Sequence, residues 1–114
     1  LDYLRAGREE LLLKPNQGSS GEGVVIGRRV TPRFWERCLA RAAASPGQYV
    51  AQRWVDSARL PMAYLKEGRL HLRRCYASLG LFYYADRLGL HGRISPWPVV
   101  NVARGGALAC VFVV

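Results

Sequence analysis

The sequence predicts an α+β fold, with a mainly antiparallel sheet and at least one packed helix, and three stretches carry that expectation. The first, LLLKPNQGSSGEGVVIG from Leu11 to Gly27, reads as strand, glycine-rich loop, strand. The second begins at Thr31-Pro32, a hydroxyl N-cap followed by proline at the first helical position, and continues with apolar residues at helical spacing. The third is a hairpin signal: Leu60 to Leu65 and Arg69 to Tyr76 flank Lys66-Glu67-Gly68.

Taken in order, residues 1–9 read as a linker or helix end. Glu10 to Lys14 is the first strand, broken by Pro15 and Asn16, and Gly23 to Val30 is the second. The helix presents Phe34, Trp35, Cys38, Leu39, Ala42 and Ala43 on one face and stops at Ser45-Pro46-Gly47. A third strand, QYVAQRWV, runs from Gln48 to Val55, with Tyr49, Ala51 and Arg53 facing one way and Val50, Gln52 and Trp54 the other. In the second arm of the hairpin, Leu70, Leu72, Arg74 and Tyr76 share one side, and His71, Arg73 and Cys75 the other. Leu81 to Ala85 and Leu90 to Ile94 read as further short strands. Pro96 and Pro98 interrupt regular structure, and Ala109 to Val114 is strongly β-prone.

Lys and Arg number 17 against 8 acidic residues, a formal charge of +9, which favours anionic partners: nucleotides, nucleic acid or an acidic protein surface. Cys38, Cys75 and Cys110 are odd in number and widely spaced, without metal-ligand spacing, so they read as small core residues in a reduced, cytoplasmic setting. No apolar run approaches a membrane span, so no membrane partner is expected. The chain opens without Met and ends on an apolar run, which reads as a piece of a longer protein.

The Leu11–Gly27 stretch carries the chemistry. A loop rich in glycine brings several backbone N–H groups close to one anion, because no Cβ intervenes, and Lys14 adds a full charge at its mouth. Phosphate is the natural guest. The motif is not a Walker A loop, in which the Lys follows the glycines and a helix comes next. A plain hairpin with a loose Gly/Ser tip is the structural alternative. His71 and His91 have no nucleophile or carboxylate arrangement beside them and receive no catalytic role. Arg69 to Arg74 with Tyr76, Phe82, Tyr83 and Tyr84 nearby allows a minor alternative, a basic single-stranded nucleic-acid-binding module. These aromatics match no RNA-binding pattern and leave the glycine loop unexplained, so nucleic acid is not the expected partner.

The order of motifs resembles the ATP-grasp fold: the KPN-plus-glycine segment, a proline-started helix, then QYVAQRWV. The tail GRISPWPVVNVARGGALACVFVV narrows the resemblance to circularly permuted ATP-grasp proteins, the glutathionylspermidine-synthase-like ligases. It implies one partial nucleotide-binding domain over residues 10–114. The implied chemistry is ATP-dependent activation of a carboxylate as an acyl-phosphate and its attack by an amine. The implied partners are ATP, magnesium, a carboxylate, an amine and the remainder of a parent chain.

Residue by residue, the resemblance has Lys14 contact the α- and β-phosphates, with Gly18, Ser19, Ser20, Gly21 and Gly23 folding over the β- and γ-phosphates. Gln52, Arg53, Trp54 and Val55 become the hinge that reads adenine. Arg93 lies by the transferred phosphate, as the catalytic residue, and Asn101 is a magnesium ligand. The family supplies acidic residues before that Asn, but RLHLRRCYASLG, from Arg69 to Gly80, has none: Arg74 and Ser78 stand where carboxylates are expected. Asp86, the one carboxylate between Glu67 and the C-terminus, is the remaining candidate to join Asn101 on the metal. The departures open a second expectation, a degenerate, non-catalytic domain kept as scaffold or partner-binding module.

Overall fold

The computed structural model describes residues 1–111. The fold is α+β, with two antiparallel sheets and few helices. Two compact units divide at Asp56 and Ser57.

The first unit contains α1 (Asp2–Ala6), α2 (Pro32–Ala44) and a sheet of β1 (Leu11–Pro15), β2 (Val25–Ile26) and β3 (Tyr49–Arg53) in the order β2-β1-β3. Its core follows from period-2 and period-3.6 patterning. Leu11 and Leu13 alternate onto one face of β1 and are buried against Trp35 and Leu39, one turn apart on α2. The helix starts where the sequence places it: the Thr31 hydroxyl accepts the Phe34 N–H at 3.2 Å, ahead of Pro32. The apolar face is narrower than the predicted stripe. Cys38 and Ala42 are half-buried, but Phe34 and Ala43 are exposed, because a three-stranded sheet covers only the centre of the helix face. Phe34 lies under the Arg37 guanidinium instead, 5.2 Å from ring centroid to carbon.

The second strand is shorter than the Gly23 to Val30 run expected. It ends at Ile26, and Gly27–Arg29 form a 3₁₀ turn. The cause is a side chain distant in sequence. Arg8 Nη1 donates to the carbonyls of Gly27 (2.8 Å) and Val30 (2.7 Å), taking acceptors that a strand would have offered to a neighbour. Arg28 Nε returns the tie by donating to the Glu9 carbonyl at 2.7 Å. Residues 1–9, expected as a linker or helix end, form α1 and open a 3₁₀ turn (Arg8–Glu10), and Leu4 packs on the core.

The second unit is a meander of β4 (Arg59–Lys66), β5 (Arg69–Tyr84), β6 (Arg87–Ser95) and β7 (Ala107–Ala109), in that order. The β4–β5 hairpin turns at Glu67-Gly68, with φ of 51° and 72°, the left-handed pair that suits strand twist. The next turn, Ala85-Asp86, repeats the geometry at φ 46° and 63° without any glycine. Hence β5 runs 16 residues without a break; of the stretch Leu81 to Ala85, Leu81 to Tyr84 is its far end rather than a separate strand, and Ala85 opens the turn. Of the β-prone end from Ala109, only Ala109 lies in β7; residues 112–114 fall outside the described residues. Cys75, Ile94 and Ser95 are buried, whereas Cys110 is exposed and is not a core residue. Among the described residues no helix is long and apolar enough to cross a membrane.

Candidate functional site

In the first unit, Lys14 and the glycine loop line one cavity of about 450 Å³, with Asn16, Gln17, Glu22, Val24 and Val50. The cavity has its shape because the loop is tied at both ends. At its entrance the Asn16 N–H donates to the Gln48 carbonyl at 2.8 Å, and the Asn16 side-chain amide donates to the Gly47 carbonyl. At its tip, Ser20 (φ 59°) and Gly21 (φ 71°) are the central pair of a turn closed by Glu22 N–H to the Ser19 carbonyl, 3.1 Å. Gly18 and Ser19 line the same wall. Gly23 does not line the cavity. It sits at φ 72° against Pro15, where a Cβ would lie 2.7 Å from the proline Cγ, so it closes the loop onto β1.

The hinge residues lie elsewhere. Antiparallel register pairs Lys14 with Val50, Leu12 with Gln52 and Leu11 with Arg53, so residues 52–55 emerge at the opposite end of β1 from the cavity. The Trp54 N–H donates to the Glu10 carbonyl at 2.7 Å, which occupies a group expected to read adenine. The Trp54 indole N–H donates to Asp56 at 2.6 Å, and the Arg28 guanidinium lies 5.8 Å from the Trp54 ring centroid. The indole bond first, then the Arg28 charge, hold the Asp56 carboxyl below its usual range. Val55 is exposed. The structure thus does not bring Gln52, Arg53, Trp54 and Val55 to the cavity that Lys14 lines.

The other candidates belong to the second unit. Arg93 is half-buried on β6, directly across from Ser78 on β5. Its Nε is a buried nitrogen without a hydrogen-bond partner among the described residues. The Asn101 Oδ1 accepts the Ala103 N–H at 2.8 Å, capping the 3₁₀ turn Val102–Arg104, which is the local backbone role open to any Asn. Asp86 sits at the β5–β6 turn and accepts the Tyr83 hydroxyl at 2.9 Å. Asn101 follows the far end of β6, a nine-residue strand, so roughly 30 Å of strand lies between them. Asp86 and Asn101 cannot share one ion. Magnesium takes oxygen ligands, normally with carboxylates, and no group of three or more His, Cys, Asp or Glu gathers among the described residues. The residues present do not fit the metal.

Sequence reasoning passed over Asn16, Gln17 and Glu22. Their adjacency to the glycines was the available signal, since a loop that folds over a cavity faces it with its flanks. Among the described residues, Glu22 is the one carboxylate lining the cavity that Lys14 lines. Glu22→Gln is therefore expected to strengthen anion binding there by about threefold at low salt, with the gain fading as salt is added. Titration of inorganic phosphate at two ionic strengths checks it, and weaker binding by the variant counts against an anion site.

A curated relative, "Putative glutamate--cysteine ligase 2-2" of Frankia casuarinae, is 32% identical over 100 residues, which cover 88% of this chain. The aligned part is 11% of that protein's length, so the chain corresponds to a small portion of the curated relative it matches. The similarity relates this chain to a ligase. No family model and no solved structure matches.

Proposed function

We propose that this chain is the ATP-binding portion of a circularly permuted ATP-grasp protein whose parent chemistry is carboxylate–amine ligation through an acyl-phosphate. One observation carries the reading: Lys14 and the loop Gly18–Gly21 line a single cavity at the end of β1. Phosphoryl transfer asks a protein mainly for charge neutralisation and positioning, and a cation beside a glycine loop supplies both. The similarity to a ligase supports the same reading. In it, Lys14 draws charge from the phosphates and the loop backbone fixes them. Acyl and amine substrates would be held by other parts of a longer chain.

A second reading, nucleotide binding without turnover, is favoured by the engaged Asn101 Oδ1 and its distance from Asp86. In that case the domain serves as scaffold or partner-binding surface. Thermal-shift titration with ATP tests the shared premise, since a ligand for the folded state raises the melting temperature. Lys14→Ala is expected to weaken ATP binding by roughly tenfold to a hundredfold, the value of one charge-assisted contact. Equal shifts for variant and wild type refute phosphate binding at Lys14. Turnover then separates the two readings: ATP hydrolysis by the parent protein supports the first, and its absence the second.

A further inference from the structure

The strands of the second sheet carry positive charge and no carboxylate side chain. The acidic residues nearest to them, Glu67 and Asp86, sit in the turns. Register places Arg59, Arg74, Ser78 and Arg93 on one face, since Arg59 pairs with Tyr76, and Ser78 with Arg93. Arg59 and Arg74 each bond the other's backbone. The Arg59 guanidinium donates to the Arg74 carbonyl at 3.0 Å, and the Arg74 guanidinium donates to the Arg59 carbonyl at 2.8 Å. Arg59 also lies over the Tyr76 ring, 5.4 Å from its centroid. Further along the same face, the buried Arg93 Nε has no partner among the described residues.

Arg59 and Arg74 are exposed, and each guanidinium keeps N–H groups beyond its one bond to a backbone carbonyl; with the unpartnered Arg93 Nε, they leave donors on one face that an anion can accept. Arg74 and Ser78 lie four residues apart, roughly 13 Å of strand, a span suited to an extended anion rather than a single phosphate. We propose that this face binds a polyphosphate chain by direct guanidinium contact, with no divalent cation. The arginine fork matches phosphate oxygens in pairs, so it supplies the neutralisation that magnesium supplies elsewhere. The disagreement over magnesium thereby becomes a specific property of this chain. A magnesium ion carried by the ligand would be repelled by the same arginines and would reduce the ligand's charge, so metal weakens binding here. The ligand can be a free polyphosphate or the triphosphate of a nucleotide; only the second rests on the function proposed above.

The test is calorimetric titration of the full chain with inorganic tripolyphosphate and, separately, ATP, each with EDTA and with excess magnesium. Tripolyphosphate is expected to bind in EDTA and to lose about tenfold in affinity when magnesium is added. Arg93→Gln and Arg74→Gln are each expected to lose about tenfold in EDTA. The paired control Arg33→Gln/Arg41→Gln on α2 removes the same kind of charge and is expected to change affinity by less than about twofold. Arg74 also bonds the backbone of β4, so its loss can disturb folding. Ser78→Asp removes none of those bonds and places a carboxylate opposite Arg93; it is expected to abolish metal-free binding. Tripolyphosphate without ATP binding identifies a free polyphosphate as the ligand, and binding of both identifies the shared triphosphate. A requirement for magnesium, or wild-type affinity in Arg93→Gln and Ser78→Asp, overturns the inference. Loss of both tripolyphosphate and ATP binding in Lys14→Ala, with wild-type binding of both in the arginine variants, would overturn it while leaving the proposed function standing. Loss in the arginine variants alone would do the reverse.

Discussion

Trp35→Ala is expected to unfold the first unit. Trp35 is 1% exposed, packs with Leu11, Leu13 and Leu39, and donates its indole N–H to the Leu4 carbonyl at 3.0 Å. Truncating a buried Trp costs about 3–5 kcal/mol through lost transfer energy and the cavity left behind. The stranded Leu4 carbonyl adds to that cost. In the unit ending at Asp56 the buried apolar core is small, Leu11, Leu13, Ile26, Trp35 and Leu39, and a domain of that size holds roughly 3–5 kcal/mol in reserve. The mutation therefore removes about all of it. Urea denaturation followed by far-ultraviolet circular dichroism should show the helical signal of α2 gone before denaturant is added. Phe34→Ala, one residue away but exposed, should leave the midpoint nearly unchanged. A Trp35→Ala protein that melts like wild type would mean that the core is organised around something other than this ring.

Gly27→Ala is the second large effect. A Cβ at residue 27 would lie 2.1 Å from the Arg8 carbonyl oxygen and 3.0 Å from the Leu11 carbonyl oxygen. The Arg8 contact is far inside van der Waals distance, and both obstacles are backbone. A rotamer change cannot relieve the clash, so two segments must separate. Overpacking of this kind costs about 1–3 kcal/mol or more. The separation would also break the Arg8 bonds to Gly27 and Val30 and loosen β1, the strand that carries Lys14. The expected result is a lower melting temperature together with weaker ATP binding, although residue 27 is not among those lining the cavity. A variant with unchanged melting would show that the Arg8–Gly27 approach is not needed for the fold.

Local signals were legible and remote ones were not. Thr31-Pro32 and Ser45-Pro46-Gly47 mark α2 because caps and breakers act within one turn of helix. Glu67-Gly68 marks a hairpin because glycine reaches the left-handed region without strain. Ala85-Asp86 makes the same turn with no such residue, imposed by pairing of Tyr84 with Arg87 and beyond, so the sequence showed separate short strands there. The overlong second strand has a similar origin: nothing near Gly27 reveals that Arg8 will claim its carbonyl. The site divides the same way. Lys14 and its glycines are contiguous and could be read together. The separation of Asp86 from Asn101, and the pairing of Arg59 with Arg74, follow only from strand register, which the residues do not announce individually.

The two sheets differ in how far apart along the chain their neighbours lie. In the order β4-β5-β6-β7 every strand lies beside its predecessor, and the first two connections are two-residue turns. In β2-β1-β3 the central strand takes one partner from before α2 and the other from beyond it, with Pro15 paired to Tyr49. Closing the longer loop carries a greater entropic cost before any contact repays it. The meander's hairpins are elements that form on the microsecond scale, whereas completing the sheet that bears Lys14 means closing the loop from Pro15 to Tyr49, which contains α2.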